Sequence, residues 1–292
     1  MTDISLDQDE RKVLDWVESR GDHMIDTVKA WSRINSGSRN LDGLETMRSV
    51  LSDAFSELEG DVSAVELEPS TTVELDGEIR EVPYTPSMKV SKRPEAPVRI
   101  VLTGHHDTVF PKDSGFQDWR LVDDDTINGP GVADMKGGLL VMLHGLLALE
   151  RSPWAKQIGY DILVSPDEEI GSLGSGPVLM ELGSKAHVGM TYEPALADGS
   201  LAGARKGSGN FSLRCRGRAA ARRALERASR SRGLSNGLAR LRMRWNARQE
   251  AIFRSSVDGA GQARLLRGPR SIITSATCRA ALSGDSFSRS RA

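Results

Sequence analysis

The chain has 292 residues, of which 38% are hydrophobic, and its 39 Lys and Arg nearly balance its 40 Asp and Glu. This length allows one large or two ordinary domains with a packed core, and the net charge of -1 argues neither for nucleic-acid binding nor for an acidic surface. Two cysteines, Cys215 and Cys278, are too few for a disulfide framework. The acidic N-terminus is unlike a signal peptide, and no apolar run is expected to span a bilayer, so a cytoplasmic protein is expected.

The net charge conceals an uneven distribution along the chain. Residues 219–292 carry 16 Arg, no Lys and 4 acidic residues, a balance of +12, whereas residues 1–218 carry 23 basic and 36 acidic residues, a balance of -13. All five histidines lie in the first part. In the second part Arg, Ala, Ser and Gly dominate and no alternation of strands and helices can be followed, which indicates a different structural character.

The first 200 residues show the periodicities of an α/β protein. Apolar spacing predicts two helices within residues 6–33, divided near Gly21, and another over residues 41–58. Later helices are expected at residues 139–149 and through Val178 to Leu182. Residues 123–128 look like a polar turn. Apolar, β-branched runs predict strands at residues 62–67, 88–90, 98–102, 160–164 and 188–192. This alternation favours a three-layer α/β/α fold around a largely parallel, doubly wound sheet.

Histidine and carboxylate side chains follow the predicted strands or lie within the Gly-rich loop at 129–138. These side chains are His105 with Asp107, Asp134, Glu168 with Glu169, and Glu193. Open α/β sheets bind ligands at the carboxyl ends of their strands. A two-metal hydrolase needs several such ligands to hold cations ~3.5–4 Å apart, and it needs an unligated carboxylate as proton acceptor.

Each of these residues also has an ordinary explanation when it is taken alone. His105 could be a hydrogen-bonded strand-end residue, Asp134 could be a helix N-cap, and the Glu168-Glu169 pair could belong to a solvated loop. Their order at consecutive strand ends favours the metal site. Three further histidines, His106, His144 and His187, are interpreted as structural.

Four motifs carry a resemblance to a known family: GHHDTV at 104–109, GPGVADMKGG at 129–138, PDEEIGS at 166–172 and YEPA at 192–195. INSGSRNLDGL at 34–44 and ARKGSGNFSL at 204–213 support it. The chain resembles the zinc-dependent peptidase family (M-twenty) of glutamate carboxypeptidase, aminoacylase, acetylornithine deacetylase and succinyl-diaminopimelate desuccinylase. Its Glu-Pro pair at 193–194 is most similar to the glutamate carboxypeptidase branch.

The resemblance implies a role for each site residue. His105 and Glu193 bind the first zinc, Asp134 bridges two zinc ions, and Glu169 binds the second. Glu168 is the general base and Asp107 orients His105. The resemblance also implies a cis peptide bond between Asp134 and Met135, and hydrolysis of an amide next to a free carboxylate. The expected substrate is therefore an acyl-amino acid or a peptide, with no membrane or nucleic-acid partner.

The chain departs from the family after residue 220. We expect the N-terminal part of a catalytic domain at residues 1–203, the start of a lid and dimerisation domain at 204–220, and a poorly ordered, Arg-rich, non-family tail at 221–292. The family supplies a His-Ala-Gly element and a late histidine from this region, yet no histidine follows His187. The second zinc site and the usual homodimer surface are therefore expected to be incomplete.

The sequence allows three explanations of the tail at 221–292. The composition favours a reading-frame change near Ala220, ahead of an adventitious basic tail. Residues 238–253 could alternatively form a basic helix for RNA or acidic partners. In each case we expect an exposed sheet edge, low stability and little activity. The competing functional interpretation is a non-catalytic remnant that binds one zinc ion.

Overall fold

The computed structural model describes residues 6–73 and 79–195, together with the backbone of residues 208–215, 266–268 and 271–281. Its helices are α1 (Gln8–Glu18), α2 (Gly21–Ser32), α3 (Leu41–Phe55), α4 (Gly137–Glu150) and α5 (Gly176–Ser184). Its strands are β1 (Asp61–Val65), β2 (Ser70–Val73), β3 (Ile79–Val82), β4 (Ser87–Lys92), β5 (Val98–His105), β6 (Arg120–Asp123), β7 (Thr126–Asn128), β8 (Ile158–Ser165), β9 (Val188–Thr191), β10 (Ser208–Cys215), β11 (Leu266–Gly268) and β12 (Ser271–Ala281).

The main sheet has five strands in the order β1-β4-β8-β5-β9. β8, β5 and β9 run parallel to one another, so the loops that follow these three strands emerge at the same end of the sheet. β1 and β4 pair antiparallel, as do β4 and β8. The expectation of a largely parallel sheet is wrong for this half of it, because the direction of pairing depends on the path of the chain and not on strand periodicity.

The larger hydrophobic core lies between α2, α3, α4 and one face of the sheet. Tyr160, Ile162 and Val164 alternate along β8 toward this core, as expected for a strand whose successive side chains point to opposite faces. On the opposite face, Val101 and Leu163 pack against Leu182 of α5. Helices therefore cover both faces, in agreement with the predicted three-layer α/β/α fold.

An ion cluster fixes the end of α4 to the sheet. The Glu150 carboxylate accepts hydrogen bonds from Arg93 Nη1 at 2.9 Å and from the Tyr160 hydroxyl at 3.0 Å, and it lies 3.0 Å from Lys92 Nζ. Burial opposes ionisation of Glu150, but these hydrogen bonds outweigh it, and its pKa lies below the usual value.

The structure confirms the helices and the five sheet strands that the sequence predicts. α1 begins at a capping box in which Asp7 and Glu10 each accept a hydrogen bond from the other's backbone. Two hairpins were not predicted, β2 with β3 and β6 with β7, and the latter includes the supposed turn at 123–128. In the described part of the sheet β9 is an edge strand, with Val188 49% and Met190 42% exposed.

The described strands β10, β11 and β12 belong to a second unit of the chain. In it β10 falls within the segment 204–220 that was predicted to begin a lid domain, and it pairs antiparallel with β12, which also pairs with β11. The sequence did not predict β11 and β12. The rest of the segment 216–292, including the supposed basic helix at 238–253, lies outside the described residues, so the predicted domain boundaries remain predictions.

The segment Val132–Glu150 is long and apolar enough to cross a membrane by length and composition. This is longer than the apolar run expected from the sequence. Eight residues of α4 are buried against the rest of the protein, so the segment has the surroundings of a core helix.

Candidate metal centre

The candidate residues converge where the three parallel strands end. His105 is the last residue of β5 and pairs in register with Ser165, the last residue of β8, so the loop with Glu168 and Glu169 begins beside it. β9 pairs with the other side of β5, and Glu193 follows it two residues after Thr191. The parallel pairing therefore brings together side chains that lie up to 88 residues apart.

His105, Asp134 and Glu193 form the tightest group. One ligand atom from each lies within 4.8 Å of the others. His105 Nε2 is 3.1 Å from Asp134 Oδ1, 3.5 Å from Glu193 Oε1 and 3.9 Å from Glu168 Oε2. The imidazole is fully buried, whereas Asp134 and Glu168 are about half exposed. The group therefore has an anchored side and an open side.

Asp134 lies in an irregular turn ahead of α4. Its backbone is extended at φ -121° and ψ 94° within the turn Val132–Lys136, and its peptide bond with Met135 is cis, as expected from the resemblance. Gly131 begins the turn at φ +67°, a conformation that favours glycine, and a Cβ here would approach the side chains of Thr108 and Lys136. Asp134 therefore lies inside this irregular turn, and its alternative interpretation as a helix N-cap is wrong.

Asp107 connects the histidine to the glutamate loop. Its carboxylate is fully buried, with Oδ1 3.3 Å from His105 Nδ1, and it accepts hydrogen bonds from the backbone amides of Glu168 at 3.1 Å and Glu169 at 3.2 Å. His105 Nδ1 is closer to the backbone oxygen of Asp107, at 3.0 Å. When Nδ1 donates to these oxygens, Nε2 keeps a free lone pair, and an imidazole in this form can bind a metal ion.

Two residues that the sequence did not single out support this arrangement. The Ser38 hydroxyl donates to Asp107 Oδ2 at 2.7 Å. The fully buried Lys136 donates to the carbonyl oxygens of Trp31 at 3.1 Å and Ile34 at 2.8 Å, which fastens the Asp134 turn to the end of α2. The sequence signals were present, because Ser38 and Lys136 lie inside motifs that carry the resemblance.

Asp167 holds the glutamate loop from its other side. It is fully buried, and its Oδ2 accepts hydrogen bonds from the backbone amides of Gly174 at 2.8 Å and Ser175 at 3.1 Å. Together with Asp107 it fixes both ends of the segment that presents Glu168 and Glu169. This segment is therefore held in place by buried side chains, which argues against the alternative interpretation of the pair as part of a simple solvated loop.

The electrostatic field of the site favours positive charge. Burial opposes protonation of His105, yet hydrogen bonds to Asp107 and Glu193 outweigh it and raise the pKa of the ring to about 11. Burial, reinforced by the neighbouring Asp134, raises the pKa of Glu169 to about 7, and burial also raises the pKa of Glu168. Crowded carboxylates of this kind are stabilised by a bound cation.

The other histidines differ in their surroundings. His144 is buried in α4, where its Nδ1 lies 3.1 Å from the Leu140 carbonyl oxygen and its ring stacks on Trp16, which fits a structural role. His106 is fully buried, and neither ring nitrogen has a hydrogen-bond partner in the described part of the chain. Burial lowers the pKa of His106 to about 4, so this ring is neutral.

Residues 101–260 match the sequence model of a family described as Peptidase family M20/M25/M40. The matched segment is more than half of the chain. The chain belongs to this peptidase family. The match continues past residue 220, where the change in composition predicts the family sequence to end. It also includes all six candidate site residues.

Individual members of the peptidase family and related structures cover the chain in part. Carboxypeptidase G2 from Pseudomonas sp. (strain RS-16) is 35% identical over 98 residues, which make up 34% of this chain and 24% of that protein. Human carnosine dipeptidase 1 superposes with a TM-score of 0.56 at 19% identity, over 70% of this chain and 45% of its own. The M20 family metallo-carboxypeptidase Sso-CP2 from Sulfolobus solfataricus gives a TM-score of 0.47 at 18% identity, over 66% and 42%. The chain thus spans less than half the length of each.

Proposed function

We propose that the chain carries a metal-dependent hydrolase site that cleaves an amide bond next to a free carboxylate. The observation that supports this most strongly is the convergence of His105, Asp134 and Glu193, with Glu168 adjacent to the same imidazole nitrogen. Membership of a peptidase family and the 35% identity to a protein named carboxypeptidase support the same reaction class.

The donor set fits a divalent metal ion. It combines one imidazole nitrogen with carboxylate oxygens, a set that zinc accepts readily. His105, Asp134 and Glu193 would hold one ion, and Asp134 with Glu169 would contribute to a second. A bound ion would polarise the substrate carbonyl and lower the pKa of water at the site.

The chain's own residues divide the remaining work. Glu168 lies 3.9 Å from His105 Nε2, and its raised pKa suits a general base that takes a proton from the attacking water and passes it to the leaving amine. Asp107 fixes the His105 tautomer through its backbone and side-chain oxygens, and its contacts with two backbone amides set the position of Glu168 relative to that ring.

The test combines metal binding with hydrolysis. We expect the full chain to bind Zn²⁺ in a calorimetric titration and to hydrolyse N-acyl amino acids or peptides with a C-terminal acidic residue. Glu168→Gln should remove hydrolysis while Zn²⁺ still binds, and His105→Ala should remove both. Glu181→Gln is a matched control, because Glu181 pairs only with the surface residue Lys185. Equal turnover by Glu168→Gln and the unaltered protein would refute the proposal.

A non-catalytic protein that binds one metal ion is the second candidate. It is favoured by the single three-donor group found among the described residues and by the absence of any histidine after His187. Metal stoichiometry separates the two candidates. Two tightly bound ions per chain with turnover support the hydrolase, whereas one ion without turnover supports the impaired remnant.

A further inference from the structure

A cavity of about 460 Å³ lies beside the candidate metal centre. It is lined by residues 37–40 ahead of α3, by residues between 108 and 112 after β5, and by Glu169 with Ile170 after β8. Glu169 belongs both to the carboxylate cluster and to the cavity wall. A substrate whose amide is at the metal centre can therefore extend one of its groups into this cavity.

The charge of the lining differs from that of the neighbouring cluster. Arg39 and Lys112 are the cations of the lining, and Glu169 is its only carboxylate. Both cations are exposed, and neither has an ion-pair partner within the residues that the structure describes. Cations elsewhere, such as Lys92 and Arg99, are paired with carboxylates.

The two loops that carry these cations are fastened to each other. Asn35 Nδ2 donates to the Phe110 carbonyl oxygen at 3.2 Å, and Gly37 forms a β-bridge with Thr108. Within the first loop the Asn40 amide donates to the Gly37 oxygen at 2.7 Å, and this turn encloses Arg39. In the second, Gln117 Nε2 donates to the Pro111 oxygen at 3.0 Å, next to Lys112. The backbones of both cations are therefore held in place without any ligand.

Exposed Arg and Lys side chains usually contact only solvent. Whether Arg39 and Lys112 bind a ligand therefore depends on their position beside the carboxylate cluster. Asp107, Asp134, Glu168, Glu169 and Glu193 give the metal centre a strongly negative field. A bound metal ion would offset part of this field, and nearby positive charge from side chains would reduce the remaining repulsion of an anionic substrate. Arg39 and Lys112 supply this charge on the wall of a cavity large enough for an amino-acid side chain.

We propose that this cavity is a subsite in which Arg39 and Lys112 bind a carboxylate group of the substrate. The proposal rests on the proposed hydrolase function, and it names the group that the enzyme selects. A guanidinium can hold a carboxylate through two parallel hydrogen bonds, and a lysine adds a point charge. The bound carboxylate is either the one on the α-carbon or an acidic side chain, and these two sources present the same chemistry.

The first test measures binding, which does not depend on turnover. The Zn²⁺-loaded full chain is titrated calorimetrically with glutarate, and the variants Arg39→Gln, Lys112→Gln and the double variant are compared with it. Each single variant should bind about 3-fold more weakly and the double variant about 10-fold, as expected for partly exposed charge pairs. Raising the NaCl concentration should weaken glutarate binding in the unaltered protein.

Lys156→Gln is the matched control. Lys156 is also exposed, but it precedes β8 and does not line the cavity. It should leave glutarate binding unchanged. Equal affinity of the double variant and the unaltered protein, or no binding of glutarate by the unaltered protein, would overturn the subsite. Circular dichroism establishes that the surface substitutions leave the fold intact.

A second measurement separates the sources of the carboxylate and separates this proposal from the proposed function. N-acetylglutamate, N-acetylglutamine and N-acetylisoglutamine are compared for binding to the unaltered protein and the double variant. The analogue that lacks the bound carboxylate should lose its dependence on Arg39 and Lys112. Charge-dependent binding without hydrolysis would refute the hydrolase and keep the anion site. Hydrolysis with the same KM in the double variant and in the unaltered protein would refute the subsite and support the hydrolase.

Discussion

Replacing Ser38 with alanine tests how strongly the metal centre depends on a residue that does not contact the metal. The Ser38 hydroxyl makes the shortest of three hydrogen bonds to the Asp107 carboxylate, at 2.7 Å against 3.1 and 3.2 Å for the amides of Glu168 and Glu169. Asp107 is fully buried, so water cannot easily replace the lost donor. Without it, the side of Asp107 that faces Ser38 is held by one amide alone.

The magnitude follows from the charge and burial of the acceptor. A hydrogen bond to a charged group contributes about 1.5–3 kcal/mol, and Ser38 is half-buried, so the lower value is appropriate. Altered outer partners of metal ligands weaken metal binding by about 10–100-fold. Because Ser38 acts on His105 only through Asp107, we expect about 10-fold weaker Zn²⁺ binding and a free energy of unfolding lower by about 1.5 kcal/mol.

Calorimetric titration with Zn²⁺ and urea denaturation in the presence of a chelator measure the two effects separately. Ser38→Thr keeps the hydroxyl and should restore both values. Ser184→Ala is the control, because Ser184 also donates a 2.7 Å hydrogen bond, but at the exposed end of α5. If Ser38→Ala matched the unaltered protein in Zn²⁺ affinity, the positioning role of Asp107 would be wrong.

Three further substitutions have distinct expected outcomes. Burial lowers the pKa of Lys136 to about 7, so the folded state loses this proton at a lower pH than the unfolded state does. The free energy of unfolding should therefore rise between pH 7 and about 10, and denaturation of Lys136→Met at several pH values should show no such rise. The pKa of Glu150 is lowered in the folded state, so its ionised carboxylate stabilises the fold above about pH 4.5, and this stabilisation is lost as the pH falls through the folded-state pKa. Glu150→Gln should therefore lower the free energy of unfolding by about 2 kcal/mol at pH 7 and make it depend less on pH in acid. Gly138→Ala places a Cβ 2.1 Å from the backbone oxygen of Tyr192 and should weaken both the stability of the protein and its Zn²⁺ binding. Gly145→Ala on the same helix meets no atom within 4 Å and should stabilise the protein by up to about 1 kcal/mol, as urea denaturation would show.

Sequence patterns predicted the parts of the fold that depend on local periodicity. β5, β8 and α4 are apolar runs, and α3 has helical apolar spacing, so their burial determines both pattern and structure. The hairpins β2–β3 and β6–β7 were missed because their strands are short and most of their residues are polar. The antiparallel placement of β1 and β4 could not be read from periodicity, since a strand has the same alternation in either direction.

The candidate site was predicted to the extent that its residues follow strands. His105, Glu168 and Glu193 come soon after β-branched runs, and parallel pairing then brings them to one edge. Ser38 and Lys136 were missed as individual residues because their partners lie 69 and 102–105 residues away. No local pattern determines such a contact, and only the packing of α2 and α3 against the sheet creates it.

These distant contacts explain why the candidate metal centre depends on the whole unit that holds the main sheet. His105, Asp134 and the Glu168-Glu169 pair belong to three different segments, and each of these segments is fixed by a buried polar side chain: Asp107 after β5, Lys136 in the turn and Asp167 in the glutamate loop. Leaving any of these buried polar groups without its partner costs about 1–3 kcal/mol, so the segments must come into place together. Folding of the sheet and formation of the metal centre should therefore be coupled, and a bound cation that offsets the crowded carboxylates should stabilise both.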